Sequence, residues 1–73
     1  MPACDEFLVK YTSCIWPHVG EAERREVEGV LDEMRVSWRS AAATKAGRSA
    51  VDAACRSALD AAKRALTQYN CRW

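Results

Sequence analysis

"CDEFLVKYTSC", residues 4–14, sets two cysteines nine residues apart, and what those cysteines bond to decides the fold. Three readings compete: a redox motif, a metal site, and one side of a disulfide frame. A thioredoxin-type redox pair needs C-x-x-C, which no pair of cysteines in this chain has. Structural zinc wants ligands at C-x2-4-C spacing, so that one turn presents both to the ion. The second pair, Cys55 and Cys71, is separated by fifteen residues, and the one histidine is His18. Four cysteines in 73 residues are therefore read as two disulfides. A chain this short buries only about 60% of its unfolded surface, and small domains of that kind need cross-links.

Oxidised cysteines imply an exported chain, periplasmic, outer-membrane-attached or extracellular. The sequence contains no signal peptide, so an export signal is expected to precede it, with Met1 a start supplied by cloning.

Working outward, the residues around the first pair form a helix of about 3–15. Pro2 suits a helix start, because its missing N–H would be unpaired there anyway. Asp5 and Glu6 favour the positive end of the helix dipole. Cys4, Phe7, Leu8, Tyr11, Cys14 and Ile15 recur at three- and four-residue steps and make one apolar face. "WPHVG", residues 16–20, is expected to break the helix at Trp16, with Gly20 supplying an unusual backbone angle.

A second helix is predicted over 21–43. Its apolar face is Ala22, Val27, Val30, Leu31, Met34, Trp38, Ala41 and Ala42. Gly29 in its middle is expected to mark close helix packing. Thr44 is a natural N-cap for a third helix over 45–69. Its face is Val51, Ala54, Cys55, Ala58, Leu59, Ala62, Ala65, Leu66 and Tyr69, with Asn70 as the stop. Bulky residues on the second helix against alanines on the third predict close packing between those two.

Short connections make neighbouring helices antiparallel, which gives an all-α, up-down-up, three-helix bundle forming one domain over 1–73. The second helix then serves as a ruler at 1.5 Å per residue. Cys14 and Cys71 fall at the same end, and Cys4 and Cys55 both fall near the middle. Joining Cys4 to Cys71 would span roughly 20 Å, and Cys4 to Cys14 about 15 Å along one helix. A disulfide needs Cα atoms within about 7 Å. The expected bridges are Cys4–Cys55 and Cys14–Cys71. Both tie the first helix to the third, and that helix is marginal alone.

Two resemblances bear on this. The nine-residue gap resembles the first half of twin C-x9-C proteins of the mitochondrial intermembrane space, which are helical hairpins. The second pair departs from that spacing. Over nearly the whole chain, "CDEFLVKYTSC" (4–14), "MRVSW" (34–38), "AAATKAGR" (41–48), "AACR" (53–56) and "YNCRW" (69–73) resemble uncharacterised small domains of exported proteins and lipoproteins in myxobacteria and related groups. That bacterial resemblance implies export and disulfides, and it implies no activity. Where those relatives often have Pro-Glu, this chain has Lys45-Ala46.

Functional candidates are few. Eleven Lys and Arg against ten Asp and Glu leave a net charge of +1. No basic stripe for nucleic acid or basic amphipathic face for a membrane is evident, and no apolar run is long enough for a transmembrane helix. His18 stands alone in a loop. Neighbours Asp32 and Glu33 point apart on a helix, and Asp52 and Asp60 are over about 10 Å apart, so neither is an acid/base pair. Arg24, Arg25, Arg35 and Arg39 alternate with acids and read as a solvated face. Trp38 falls on the core stripe.

Trp16 and Trp73 flank the expected Cys14–Cys71 bridge. They either pack over it or form an interaction patch with Ile15, Tyr69 and Arg72, Arg72 stacking on Trp73. The expectation is a non-enzymatic structural or protein-interaction module, monomeric, with no cofactor and no metal. The alternative is a secreted membrane-active or lipid-binding helical peptide, which would need a pocket or an exposed apolar face.

Overall fold

The computed structural model describes residues 1–73. Its elements are α1 (Pro2–Ile15), a 3-10 turn (Trp16–His18), α2 (Glu21–Ala41), α3 (Lys45–Ala65) and a second 3-10 turn (Thr67–Tyr69). The fold is an all-α bundle of three helices. Both bridges are as the ruler places them: Cys4–Cys55 with Cα atoms 4.9 Å apart and Cys14–Cys71 with 5.4 Å.

α1 ends at Ile15 as expected, and the break over residues 16–20 is gradual. Trp16 keeps helical angles (φ −52°, ψ −44°) and the chain continues through Pro17 as a single 3-10 turn. The clash with the following proline is a bias, and here it is overcome: the Trp16 N–H still donates to Thr12, and the Arg24 guanidinium donates to the Trp16 carbonyl at 2.9 Å. The chain becomes extended at Val19, and Gly20 sits at φ −70°, ψ 165°. That is extended backbone open to most residues, so the unusual angle expected of Gly20 is not there.

α2 ends at Ala41, two residues before the expected 43, because Thr44 must turn extended (φ −113°, ψ 158°) to cap α3. The Thr44 hydroxyl accepts the Gly47 N–H at 3.0 Å, as its position predicts. Arg48 donates to the Ala42 carbonyl at 3.3 Å and satisfies the end of α2. α3 stops at Ala65, short of 69. The chain tightens into a 3-10 turn and reverses at Asn70, whose φ of 52° is left-handed. Asparagine tolerates that conformation better than most residues. The reversal brings Cys71 back to Cys14.

The closest helix pair is α1 with α3. The close packing expected between α2 and α3 is less extensive than that between α1 and α3. Cys4–Cys55 joins α1 directly to α3, and α2 meets them through Leu31, with Val27, Met34 and Trp38 at the edge of the core. Phe7, Leu8, Leu31, Leu59 and Ala62 form the main core, edged by Tyr11, Val27, Met34, Trp38, Ala58, Leu66 and Trp73. Cys4, Val51 and Cys55 form a second, smaller core. Trp38 packs against both, and its ring meets Phe7 edge-on at 6.2 Å.

Only ten of the 73 residues are buried, which explains the need for cross-links. Leu31 is the one buried residue of α2. Val30 is 55% exposed, and Ala22, Ala41, Ala54 and Ala65 are exposed too, so the apolar faces are narrower than the periodicity suggests. Gly29 faces solvent, with nothing within 4 Å of where a β-carbon would stand. It marks no helix contact.

Candidate functional site

The end of the bundle that holds Cys14–Cys71 carries most of the expected interaction residues. α1 delivers Cys14 and Ile15, the first 3-10 turn delivers Trp16 and His18, and the reversal after α3 delivers Tyr69, Cys71, Arg72 and Trp73. The structure divides the set. Ile15 is buried and presents little surface. Trp73 is half-buried and packs on the edge of the main core. Trp16 lines a cleft between α1 and α2 together with Thr12, Glu28, Leu31 and Arg35. Tyr69 and exposed Arg72 line a separate crevice over the Cys14–Cys71 bridge.

Contacts between these residues were not all legible in the sequence. His18 stacks flat on Tyr69, with ring centroids 3.9 Å apart and an interplanar angle of 10°. The cation–π contact at this end is Arg24 over Trp16, at 5.6 Å from the ring centroid, in place of the expected Arg72 on Trp73. Lys10 reaches the main-chain oxygen of Trp73 and, at 3.0 Å, the Glu6 carboxylate. The hydrogen bond from Lys10, and then its charge, hold the Glu6 carboxyl below the ordinary glutamate value. Glu6 and Lys10 stand at i,i+4, so that pair could be read from spacing. The link to Trp73 could not.

The other candidates resolve into ordinary surface pairs. Asp32 bonds Arg35 at 2.6 Å and Asp52 bonds Arg56 at 2.9 Å, each within one helix. Asp32 and Asp52 thus face arginines, while Glu33 and Asp60 stand exposed on their helices. No three His, Cys, Asp or Glu side chains gather in a geometry that could hold a metal ion. No helix is long and apolar enough to cross a membrane.

One feature went unforeseen. A groove of about 370 Å³ runs between the start of α1 and the end of α2. Leu8, Trp38, Ala42 and Cys4 supply apolar lining, and Asp5, Arg35 and Arg39 supply charge. It exists because α2 does not close tightly on α1. Arg35 and Arg39, which read as plain solvated face, edge it.

The chemistry on offer is thus two disulfides, a divided aromatic end and a shallow mixed groove. The two disulfides call for a non-reducing environment. Compared with protein-family models, with curated proteins and with solved structures, the chain finds no match in any of the three.

Proposed function

We propose that the chain is a non-enzymatic structural or protein-interaction module of an exported protein, which meets a protein partner through its aromatic end. The observation that carries this reading is the half-exposed state of Trp16 and Tyr69 beside a bridge that fixes their positions. Aromatic groups held rigid lose little entropy on binding and recur in binding hot spots. The export part leans on the disulfides and on the resemblance to exported bacterial domains. A photo-crosslinking residue placed at Tyr69, with a second at Arg25 on exposed α2, tests it in the native secretion medium. Crosslinks to one discrete partner at position 69 and none at 25 support the reading. Equal labelling at both positions, or none at either, sinks it.

The groove between α1 and α2 favours a second reading, that of an amphiphile-binding peptide. Leu8, Trp38 and Ala42 supply an apolar surface and Arg39 a cation at its rim. A blue shift of tryptophan emission on adding anionic vesicles, lost in Arg39→Glu at the exposed rim, would select this reading over the first.

A further inference from the structure

The two bridges differ sharply in their surroundings. Cys4 and Cys55 are 3% and 0% exposed and belong to a core cluster with Val51. Cys71 is only half-buried, and it lines an open crevice with Cys14. That crevice also presents Lys10, His18 and Arg72, and no carboxylate lines it. Glu6 offsets part of the Lys10 charge from outside the crevice. Beyond Asn70 the chain has left the helices, and residues 71–73 make no main-chain to main-chain hydrogen bond with the rest of the protein. The bridge, the Lys10 contact and the packing of Trp73 are what hold that segment.

We propose that Cys14–Cys71 is a thiol-exchange site, opened selectively by small anionic thiols while Cys4–Cys55 stays closed, and that opening it unlatches the segment carrying Trp73. The inference goes beyond the partner reading and does not depend on it. In the first step a thiolate RS⁻ attacks Sγ of Cys71, the less buried residue of the pair. The Cys14–Cys71 bond breaks, its electron pair leaves on Cys14 Sγ, and Cys71 becomes a mixed disulfide with R. A second RS⁻ attacks the R sulfur of that mixed disulfide, forming RSSR and releasing Cys71 as thiolate. The two thiolates take up the two protons given by the RSH molecules. Two thiols are oxidised to one disulfide, and one protein disulfide is reduced to two cysteines. Access decides which protein bridge enters this sequence, because attack must come in line with the sulfur–sulfur bond. The basic lining draws negative thiolates to the crevice and repels positive ones.

The test uses the oxidised chain in non-denaturing buffer. It is treated with limiting 2-mercaptoethanesulfonate, quenched at intervals with N-ethylmaleimide and mapped by peptide mass. The first labelled species is expected to carry the label on Cys14 and Cys71 alone. Label on Cys4 or Cys55 in that first species overturns the site. The same experiment with neutral 2-mercaptoethanol and cationic cysteamine, each normalised to its rate on a neutral model disulfide, reads the charge preference. The anionic thiol is expected to be faster than the cationic one, on the order of tenfold at low ionic strength and less as salt is added. Arg72→Glu is expected to shrink that ratio. Equal normalised rates for the three thiols overturn the basic-crevice part. In the species with one bridge left, the Trp73 indole proton is expected to move to its free-peptide chemical shift while that of Trp38 stays. A Trp73 signal that does not move overturns the latch.

Discussion

Gly47, in the first turn of α3, lies against the carbonyl oxygen of Ala41, the last residue of α2, so closely that a β-carbon at position 47 would overlap that oxygen. The same β-carbon would stand 2.9 Å from both the Ala41 carbonyl carbon and the Thr44 hydroxyl. The corner between the long helices is therefore built on the absence of a side chain. Gly47→Ala gains helix propensity of up to about 1 kcal/mol but forces backbone apart. Overpacking of that kind costs about 1–3 kcal/mol, and backbone is less able to give way than a side chain, so net destabilisation is expected. Denaturant unfolding of the oxidised protein checks it.

Gly29→Ala is expected to do the reverse. Position 29 is exposed on α2, with empty space where the methyl would go. Alanine there relieves a mid-helix glycine and should stabilise by about 0.5–1 kcal/mol. A lower denaturation midpoint in this variant would mean that Gly29 has a contact after all.

Thr44→Ala removes the acceptor for the Gly47 N–H and should lower stability by about 1 kcal/mol. Thr44→Asp keeps an acceptor at the same place and should restore most of the loss. The pair of variants, compared by thermal unfolding, separates capping from a general effect of altering the corner.

Full reduction is expected to loosen α1 before α2 or α3. α1 is 14 residues long and marginal alone in water, and the bridges hold it to α3 and to the segment that follows α3. Each bridge closes a loop of more than fifty residues, and the chain-entropy account assigns about 4 kcal/mol to one such loop. Hydrogen exchange read residue by residue before and after reduction is the check. Unchanged protection of the α1 amides would count against it.

Glu6 should titrate below the ordinary glutamate value in an NMR pH series, with Lys10→Met returning it toward that value. Because the folded-state value is depressed, whatever the Lys10–Glu6 pair contributes is present above the unfolded carboxyl value. It is lost as pH falls through the lower folded value. Glu6 is exposed, so the contribution is expected to be small and to fade in salt.

Much of this fold could be read from spacing alone. Rise per residue and short connections were enough to pair Cys4 with Cys55 and Cys14 with Cys71, since a helix is a rigid ruler. Thr44 was visible as a cap because capping is local. Three other features depend on contacts made across the fold. Trp16 keeps helical angles before a proline, and its carbonyl accepts from Arg24, eight residues on. α3 ends early because Cys71 must return to Cys14, which needs the left-handed turn at Asn70. Gly29 and Gly47 look alike in sequence, and only the approach of Ala41 tells them apart. At the aromatic end the residue types were legible, while their partners were not. His18 finds Tyr69, and Lys10 finds Trp73, across most of the chain length.

One bridge joins α1 to α3 and the other joins α1 to the segment that follows α3, and α2 carries none. Under tension this gives the molecule a short covalent path. A pull between Cys4 and Cys71 runs along α1 from Cys4 to Cys14 and then across the sulfur bond, a tether of ten residues that even fully drawn out spans only about 35 Å. The parallel route through Cys55 and α3 is sixteen residues from Cys55 to Cys71, so drawn out it is the longer of the two and the shorter tether sets the limit. α2 lies outside both routes and never bears load. While the Cys14–Cys71 bridge holds, the domain therefore acts as a link that cannot lengthen beyond that span, with α2 hanging beside the line of force.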